Sequence, residues 1–488
     1  MRGETPRSPS GPPGEPLGAP GFVQRYTPHQ ARSAGHLPPQ GGKEVTVHPP
    51  QPMAARYGLF VLFVVALFNY IDRSIVSILQ APIKHDLHLS DTQLGMITGL
   101  SFALVYTTLA IPIARLADVT VRKRLIAVAL AIWSGMTAIS GLATSFLMLV
   151  GFRLGVAFGE AGCVPASHSM ISDYYPRSRR ASALALWGLS SPAGVMIGFF
   201  AGGWLTQALN WRQAFLIVGG LGVVLAPLVL TMREPRRGQS DPAALARAEA
   251  IPLAEVIATL WGSKSFRWLA VGGALNAYVQ LSLQNWDAPF FARVHHMAIR
   301  DIGLYLALMF GLGGGLGQMV GGYVADRLGR RDRRWYLWLP ALACLALAPA
   351  GAAQLLARSA ATSVALGFVP AALIMVYFAP VVAVAQSLVA APMRAFTTAT
   401  LALVVNLVGL GLGPLATGAI SDLLTIRFGL GPDGLRYAML SSLIAAPVAA
   451  FCFWRASRWV LRELPEDPLA AVISSTGSSR PPSVANRP

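Results

Sequence analysis

Ala114-Arg-Leu-Ala-Asp118-Val-Thr-Val-Arg122-Lys123-Arg124 closes one apolar run of this chain, and Gly322-Tyr-Val-Ala-Asp326-Arg327-Leu-Gly329-Arg330-Arg331 closes another in the later half. An acid at the end of an apolar segment, followed by a basic cluster, thus occurs twice in equivalent places. Around this pair, apolar runs of about twenty residues recur from Tyr57 to Trp454, and a helix of that length covers a hydrocarbon core about 30 Å thick. Of the 488 residues 54% are hydrophobic and only 12% are charged, where soluble domains carry about 25%. A chain folded around a soluble core is therefore disfavoured.

The reading places twelve spans, at 57–80, 94–116, 125–142, 146–171, 183–209, 213–232, 266–291, 302–324, 335–356, 364–386, 397–420 and 437–454. These make an all-α membrane protein of two six-helix bundles, 56–232 and 266–462. A basic polar stretch, 233–265, joins them as a linker. Residues 1–55 and 463–488 are expected to be disordered tails, poor in apolar residues. The starting Met-Arg has no apolar stretch behind it, so a cleaved signal peptide is not expected, and Met53 is a candidate translation start.

The net charge of +17 raises the question of nucleic acid, but its location answers it. Loops after the even-numbered spans hold Arg122, Lys123, Arg124, Arg179, Arg180, Arg330, Arg331 and Arg334, whereas the opposite loops are sparse in Lys and Arg. By the positive-inside rule this puts both termini in the cytoplasm of a multi-pass cell-membrane protein. Repeated halves of this kind are typical of secondary transporters. No Gly-x-x-x-x-Gly-Lys-Ser/Thr run is present, which disfavours an ATP-driven pump. Cys163, Cys344 and Cys452 all sit in apolar runs and have neither disulfide nor metal-ligand spacing. No cofactor or metal is expected, and no paired-acid or His-Glu-x-x-His cluster suggests a membrane enzyme. A receptor that binds without flux is a further rival class.

Charges inside spans carry the most information, because each costs at least about 2.5 kcal/mol at mid-helix unless it is paired or hydrated. Three stand out: Asp72 in the first span, Arg153 and Glu160 in the fourth. At ~1.5 Å per residue Asp72 lies about 12 Å and Arg153 about 10 Å from the same membrane face, so the two can pair. Glu160 falls two turns deeper than Arg153 on the same helical face. These three form a candidate proton-coupling column, with a structural ion pair as the alternative. Asn276, Gln280 and Gln284 lie four apart on the seventh span, with Asn406 in the eleventh; they suit either a substrate cavity or helix-to-helix hydrogen bonds. Gly194, Gly198 and Gly202 on the fifth span and the Gly-rich run 311–322 on the eighth read as close helix packing. His295 and His296 are expected to be solvated in an outer loop, and His168 to be a packing or cavity residue.

With these residues in hand, the chain resembles the major facilitator superfamily over about 57–462. Asp118 to Arg124 and Asp326 to Arg331 are similar to its gating motif, with Ala114 where a glycine heads the first copy. Arg153-Leu-Gly-Val-Ala-Phe-Gly-Glu-Ala161 is similar to its fourth-span motif, and Trp211-Arg-Gln-Ala-Phe215 is also familiar. Asn69-Tyr70-Ile-Asp72-Arg73, Gly159-Glu-Ala161 with Pro165-Ala166, and 406–414 followed by Ser421-Asp422 resemble the Spinster family of lysolipid and sphingolipid transporters. The resemblance implies a proton-coupled, alternating-access carrier of an amphiphile, monomeric, with Asp72 and Glu160 titrating and Arg153 between them. Gating would fall to Asp118, Arg122, Lys123, Arg124, Asp326, Arg327, Arg330 and Arg331. The cavity would be lined by Asn69, Tyr70, Asn276, Gln280, Gln284 and Asn406. An organic anion or drug carrier, or an uncoupled uniporter, is the alternative.

Overall fold

The computed structural model describes residues 52–240, 253–390 and 393–463, all within the compact unit His48–Pro488. The expected tails, apart from residues 52–55 and Glu463, lie outside the described residues, as does part of the linker. Every described element is helical. We number the long helices α1 Pro52–Leu87, α2 Asp91–Ala110, α3 Arg122–Ser140, α4 Phe146–Tyr174, α5 Ser178–Ala208, α6 Trp211–Leu230, α7 Lys264–Val294, α8 Ile299–Gly329, α9 Trp335–Leu356, α10 Ala360–Ser387, α11 Phe396–Arg427 and α12 Asp433–Glu463. By length and composition eleven of these can cross a membrane. The remaining one, α7, has 31 residues and so runs about 46 Å at ~1.5 Å per residue. Its polar set, which includes Asn276, Gln280, Asn285 and Asp287, lowers its hydropathy.

Several helices outrun the apolar segments that announce them. Helix α1 begins at Pro52, inside the stretch expected to be tail, and ends at Leu87 rather than residue 80. Helix α12 extends to Glu463, and a short helix, Leu253–Gly262, occupies part of the linker. Hydrophobicity marks only the lipid-facing part of a helix, whereas its ends are set by caps. Ser145, Asn210, Ser263 and Ser359 accept the backbone N–H of Met148, Gln213, Phe266 and Thr362, which starts α4, α6, α7 and α10. Ser90 and Gln93 form a reciprocal capping box at the head of α2.

Helix pairing repeats between the halves. α1 packs on α5 and α3 on α6; six helices later, α7 packs on α11 and α9 on α12. The same neighbours at an offset of six are what two copies of one bundle give. The glycines of α5 serve this packing, since a Cβ on Gly198 would stand 2.8 Å from Ser74 Cβ and one on Gly202 2.5 Å from Ile78 Cγ2. Between halves, α2 meets α11, α5 meets α8 and α1 meets α7. α2, α8 and α11 each contain a π-helical turn, at Met96–Leu100, Ala307–Gly313 and Leu407–Leu412. Such turns break the regular ladder and are frequent at functional sites. Large apolar side chains such as Phe60, Leu147, Phe200, Val224 and Met319 point outward. An outward apolar surface of this extent suits lipid rather than water.

Candidate functional site

Four charged side chains meet inside the first bundle. Arg153 Nη1 donates to Asp72 Oδ2 at 2.9 Å, and the Thr137 hydroxyl donates to the other oxygen of the same carboxylate. Arg73 donates through Nε and Nη2 to Glu160 Oε2, both at 2.8 Å. Asp72 and Arg153 are 3% and 2% exposed and Glu160 is fully enclosed, whereas the Arg73 side chain keeps 26% of its surface open. Arg73 lies over the rings of Phe102 and Tyr106, 4.9 and 4.7 Å from their centroids, and Arg153 lies 5.4 Å from that of Phe102. One aromatic ring therefore serves both guanidinium groups, a favourable arrangement for cations out of water. The net charge of the four groups is zero, which makes their burial tolerable.

Asp72 and Arg153, expected at one depth, are bonded. Within the expected column of three, Arg153 bonds to Asp72 and Glu160 has a cation of its own. Glu160 takes its cation from Arg73, the neighbour of Asp72 in sequence, whose own position in the span gave no sign of that partner. Two atoms face inward without partners, Glu160 Oε1 and Arg153 Nε, and Asn69 Nδ2 is likewise unpaired. Tyr70 is half-buried beside them.

At the end of the molecule where α1 begins and α12 finishes, Arg122 is buried. It donates to Glu234 (2.8 Å), to Ser169 (2.8 Å), to the Pro235 carbonyl (2.7 Å) and to Asp173. Lys123 reaches the carbonyls of Leu230 and Met232. The basic cluster thus grips the ends of α4 and α6 within its own half. Arg124 is exposed, and the Asp118 side chain lies outside the described residues. In the second copy Asp326 is exposed and accepts from Tyr336 at 2.8 Å, and Arg327 lies 3.5 Å from the Tyr323 hydroxyl. Arg330 and Arg331 are exposed. Sequence reading missed Asp173 and Glu234, which lie on the apolar segments' margins and carry no periodic signal.

In the second bundle Asn276 is buried and ties helices together. Its amide donates to the Ile374 carbonyl at 3.1 Å and its oxygen accepts from Cys344 at 3.3 Å. Gln280, Gln284 and Asn406 are half-buried. Asp287, within the seventh span yet missing from the expected set of intramembrane charges, is 1% exposed and accepts from Gln354 at 3.1 Å. His295 departs from the solvated expectation: it is half-buried and packs against Phe290 and Phe291, with centroids 5.2 and 5.8 Å away. His168 is exposed, and its ring meets Trp187 edge-on.

Among the described residues the hydrogen bonds that cross between halves gather at the end opposite the start of α1 and the finish of α12. Asp422 of α11 accepts from the backbone N–H of Asp91 and Thr92 (2.9 and 2.7 Å) and from the Thr92 hydroxyl (2.6 Å). Asp91 accepts from Lys84 (2.5 Å), from Arg293 (2.7 Å) and from Ser421 (2.6 Å). Ser77 and Gln80 of α1 bond to Asn285 of α7. The backbones come together too: a Cβ on Gly303 would lie 2.5 Å from the Phe199 carbonyl, so only glycine fits. The capping box Ser90-Asp91-Thr92-Gln93 was the available sequence signal for the first half of this seal.

A duplicated helical bundle, apolar outside and charged inside, sealed between its halves at one end, defines a multi-pass membrane transporter of small molecules. The family model described as Major Facilitator Superfamily matches residues 62–414, and the chain belongs to that superfamily. It is 36% identical over 420 residues to an MFS-type efflux pump of Mycolicibacterium smegmatis, covering 85% of this chain and 96% of that protein. A probable L-galactonate transporter of Escherichia coli is 26% identical over 281 residues, 55% of this chain and 61% of the relative. Among solved structures, a bacterial homolog to the human lysosomal transporter Spinster, inward-facing and unoccupied, matches with a TM-score of 0.78 at 31% identity. The match covers 85% of this chain and 99% of that one. The chain thus resembles the Spinster family, and its relatives are transporters rather than enzymes.

Proposed function

We propose that this protein is a proton-coupled secondary transporter that moves an amphiphilic or lipid-like molecule bearing an anionic group across the cell membrane by alternating access. The observation that carries the reading is the pair of neutralised charges around Phe102. Glu160 holds Arg73 through one oxygen only, and Arg73 is the member of the set that keeps open surface. A proton on Glu160 would dissolve that bond and leave the guanidinium free for a carboxylate or phosphate of the substrate. Arg153 would keep Asp72 in place meanwhile. Proton and substrate would then bias one arrangement of the same side chains, which is what coupling requires.

Asn69, Tyr70, Gln280, Gln284 and Asn406 would line the substrate path, with Phe102 and Tyr106 offering the apolar face an amphiphile needs. Asn276 would act as a brace between helices. The halves 56–232 and 266–462, joined by 233–265, would rock as units. With both termini cytoplasmic, as the loop charges favour, the seal at Asp91 and Asp422 is external and the conformation is inward-open. Asp118 with Arg122 to Arg124, and Asp326 with Arg327, Arg330 and Arg331, would close the inner side in the opposite state. The exposure of Asp326, Arg330 and Arg331 supports an inner gate that is disengaged here.

A second reading, a carrier of small organic acids, is favoured by the same half-open Arg73 and by the likeness to a probable L-galactonate transporter. Uptake into proteoliposomes tests both. A panel of lysolipids, hydrophobic drugs and sugar acids is offered with and without a pH gradient. Gradient-dependent accumulation of an amphiphile supports the first reading; accumulation of sugar acids alone replaces it with the second. Flux equal in both conditions removes the proton.

A further inference from the structure

A cleft of about 420 Å³ lies between the first turns of α7 and the last turns of α12, lined by Lys264, Arg267, Trp268, Val271, Arg455 and Trp459. The spacing on each helix explains it. Arg267 and Trp268 lie three and four residues after Lys264, and Val271 lies four and three after them, on one face of α7; Trp459 lies four after Arg455 on α12. Lys264 Nζ stands 4.1 Å from the centroid of Trp459 and Arg455 lies 5.7 Å from that of Trp268, so the tryptophans cross-hold the cations. Arg458 lies 4.1 Å over Trp454 and Arg462 5.6 Å over Trp459 on the same helix end.

The charge there is left unbalanced. Among the described residues these helix ends bring five cations together with one acid, Glu463, and both its oxygens are already committed: Oε2 accepts from Ser263 (2.6 Å) and from the Ser265 N–H, and Oε1 accepts from the Lys264 N–H. Among the described residues none of the five cations forms an ion pair. Holding several basic side chains together without an anion is unfavourable, and a ring stacked on a cation leaves its N–H donors unused; Lys264 and Arg455, so stacked, line the cleft with Arg267.

The surroundings are those of a membrane boundary. Val271 is exposed below the cations, and Val448, Phe451 and Trp454 continue an exposed apolar strip along α12. The linker helix Leu253–Gly262 presents exposed Ile257 and Trp261. Tryptophan beside lysine and arginine at a helix end is the composition of the headgroup layer, and basic pockets between helix ends there bind acidic headgroups. We propose that this cleft binds the phosphate headgroup of an anionic phospholipid, with its acyl chains along Val271 and the apolar strip of α12. A free phosphate would satisfy the same donors but would leave that strip unused. The site is built wholly from α7 and α12 and does not rest on the substrate reading above.

The test uses the full-length chain, purified in detergent and stripped of lipid, with native mass spectrometry as the readout. Phosphatidylglycerol, cardiolipin, phosphatidylcholine and inorganic phosphate are titrated separately. The acidic lipids are expected to bind at least about tenfold tighter than phosphatidylcholine. At ~1 kcal/mol per basic residue, Arg267→Gln with Arg455→Gln should weaken them roughly thirtyfold, and Arg267→Gln alone, at an exposed position, about fivefold. Removing the same charge at Arg56 and Arg236 should leave binding unchanged. Binding of phosphatidylcholine equal to that of the acidic lipids overturns the proposal, as does binding unaffected by loss of Arg267. Displacement of the lipid by millimolar inorganic phosphate would overturn the lipid as source and leave a free-anion site.

Discussion

Removing Arg153 should cost this protein more than removing Glu160, although the two stand on one helix. Arg153→Gln leaves the Asp72 carboxylate 3% exposed, with the Thr137 hydroxyl as its remaining donor. Breaking a buried pair by deleting one partner costs about 3–5 kcal/mol, because an uncompensated charge stays behind. Glu160→Gln deletes the enclosed partner instead, and the Arg73 left over still has 26% of its side chain open and two aromatic faces against it. A charged hydrogen bond lost where the survivor can rehydrate costs about 1–2 kcal/mol. The assay is thermal unfolding in detergent of the two single variants and of Asp72→Asn/Arg153→Gln. The double variant should recover most of the loss, with a coupling of about 1–3 kcal/mol between the two positions. If Arg153→Gln unfolds at the wild-type temperature, or the double variant is no better than the single, the carboxylate is not held by this pair and the reasoning fails.

Other expectations concern the transport cycle. With a pH-sensitive dye in proteoliposomes, Glu160→Gln should abolish substrate-induced proton flux while substrate binding survives; flux equal to wild type in Asp72→Asn and Glu160→Gln would leave the charges as a structural pair. Asp422→Ala removes three bonds that cross the seal, so cysteine labelling at Thr92 should rise several-fold as the population shifts toward the outward-open state; unchanged labelling would mean the seal is held elsewhere. Asp118→Asn should slow turnover with expression intact, measured as initial uptake. Tags at Ser240 and the C-terminus should report cytoplasm and reporters at His88 and Asp433 the outside; a cytoplasmic signal from His88 would refute the topology.

How much of this was legible in the sequence follows from what each signal depends on. Hydropathy is local, so the spans and the duplication around Asp118 and Asp326 could be read directly, and burial of a charge within an apolar run marked Asp72, Arg153 and Glu160. Depth along a helix follows from 1.5 Å per residue, and that was enough to bring Asp72 and Arg153 together. Azimuth around the bundle is not local. Which cation meets Glu160 depends on how α1 is rotated against α4, and only the packed structure gives Arg73 that place. Asn276 shows the same limit: its spacing with Gln280 and Gln284 fits one stripe, yet crossing angles turn it toward Ile374 and Cys344 while the other two stay half-open. The seal required more still. Asp422 caps a helix that begins 331 residues earlier, and the helix ends that carry the cations of α7 and α12 meet across 199 residues. Contacts between chain-distant ends carry no periodic trace, because they are set by how helices pack within a bundle and how two bundles lean on each other, and tertiary structure alone decides that.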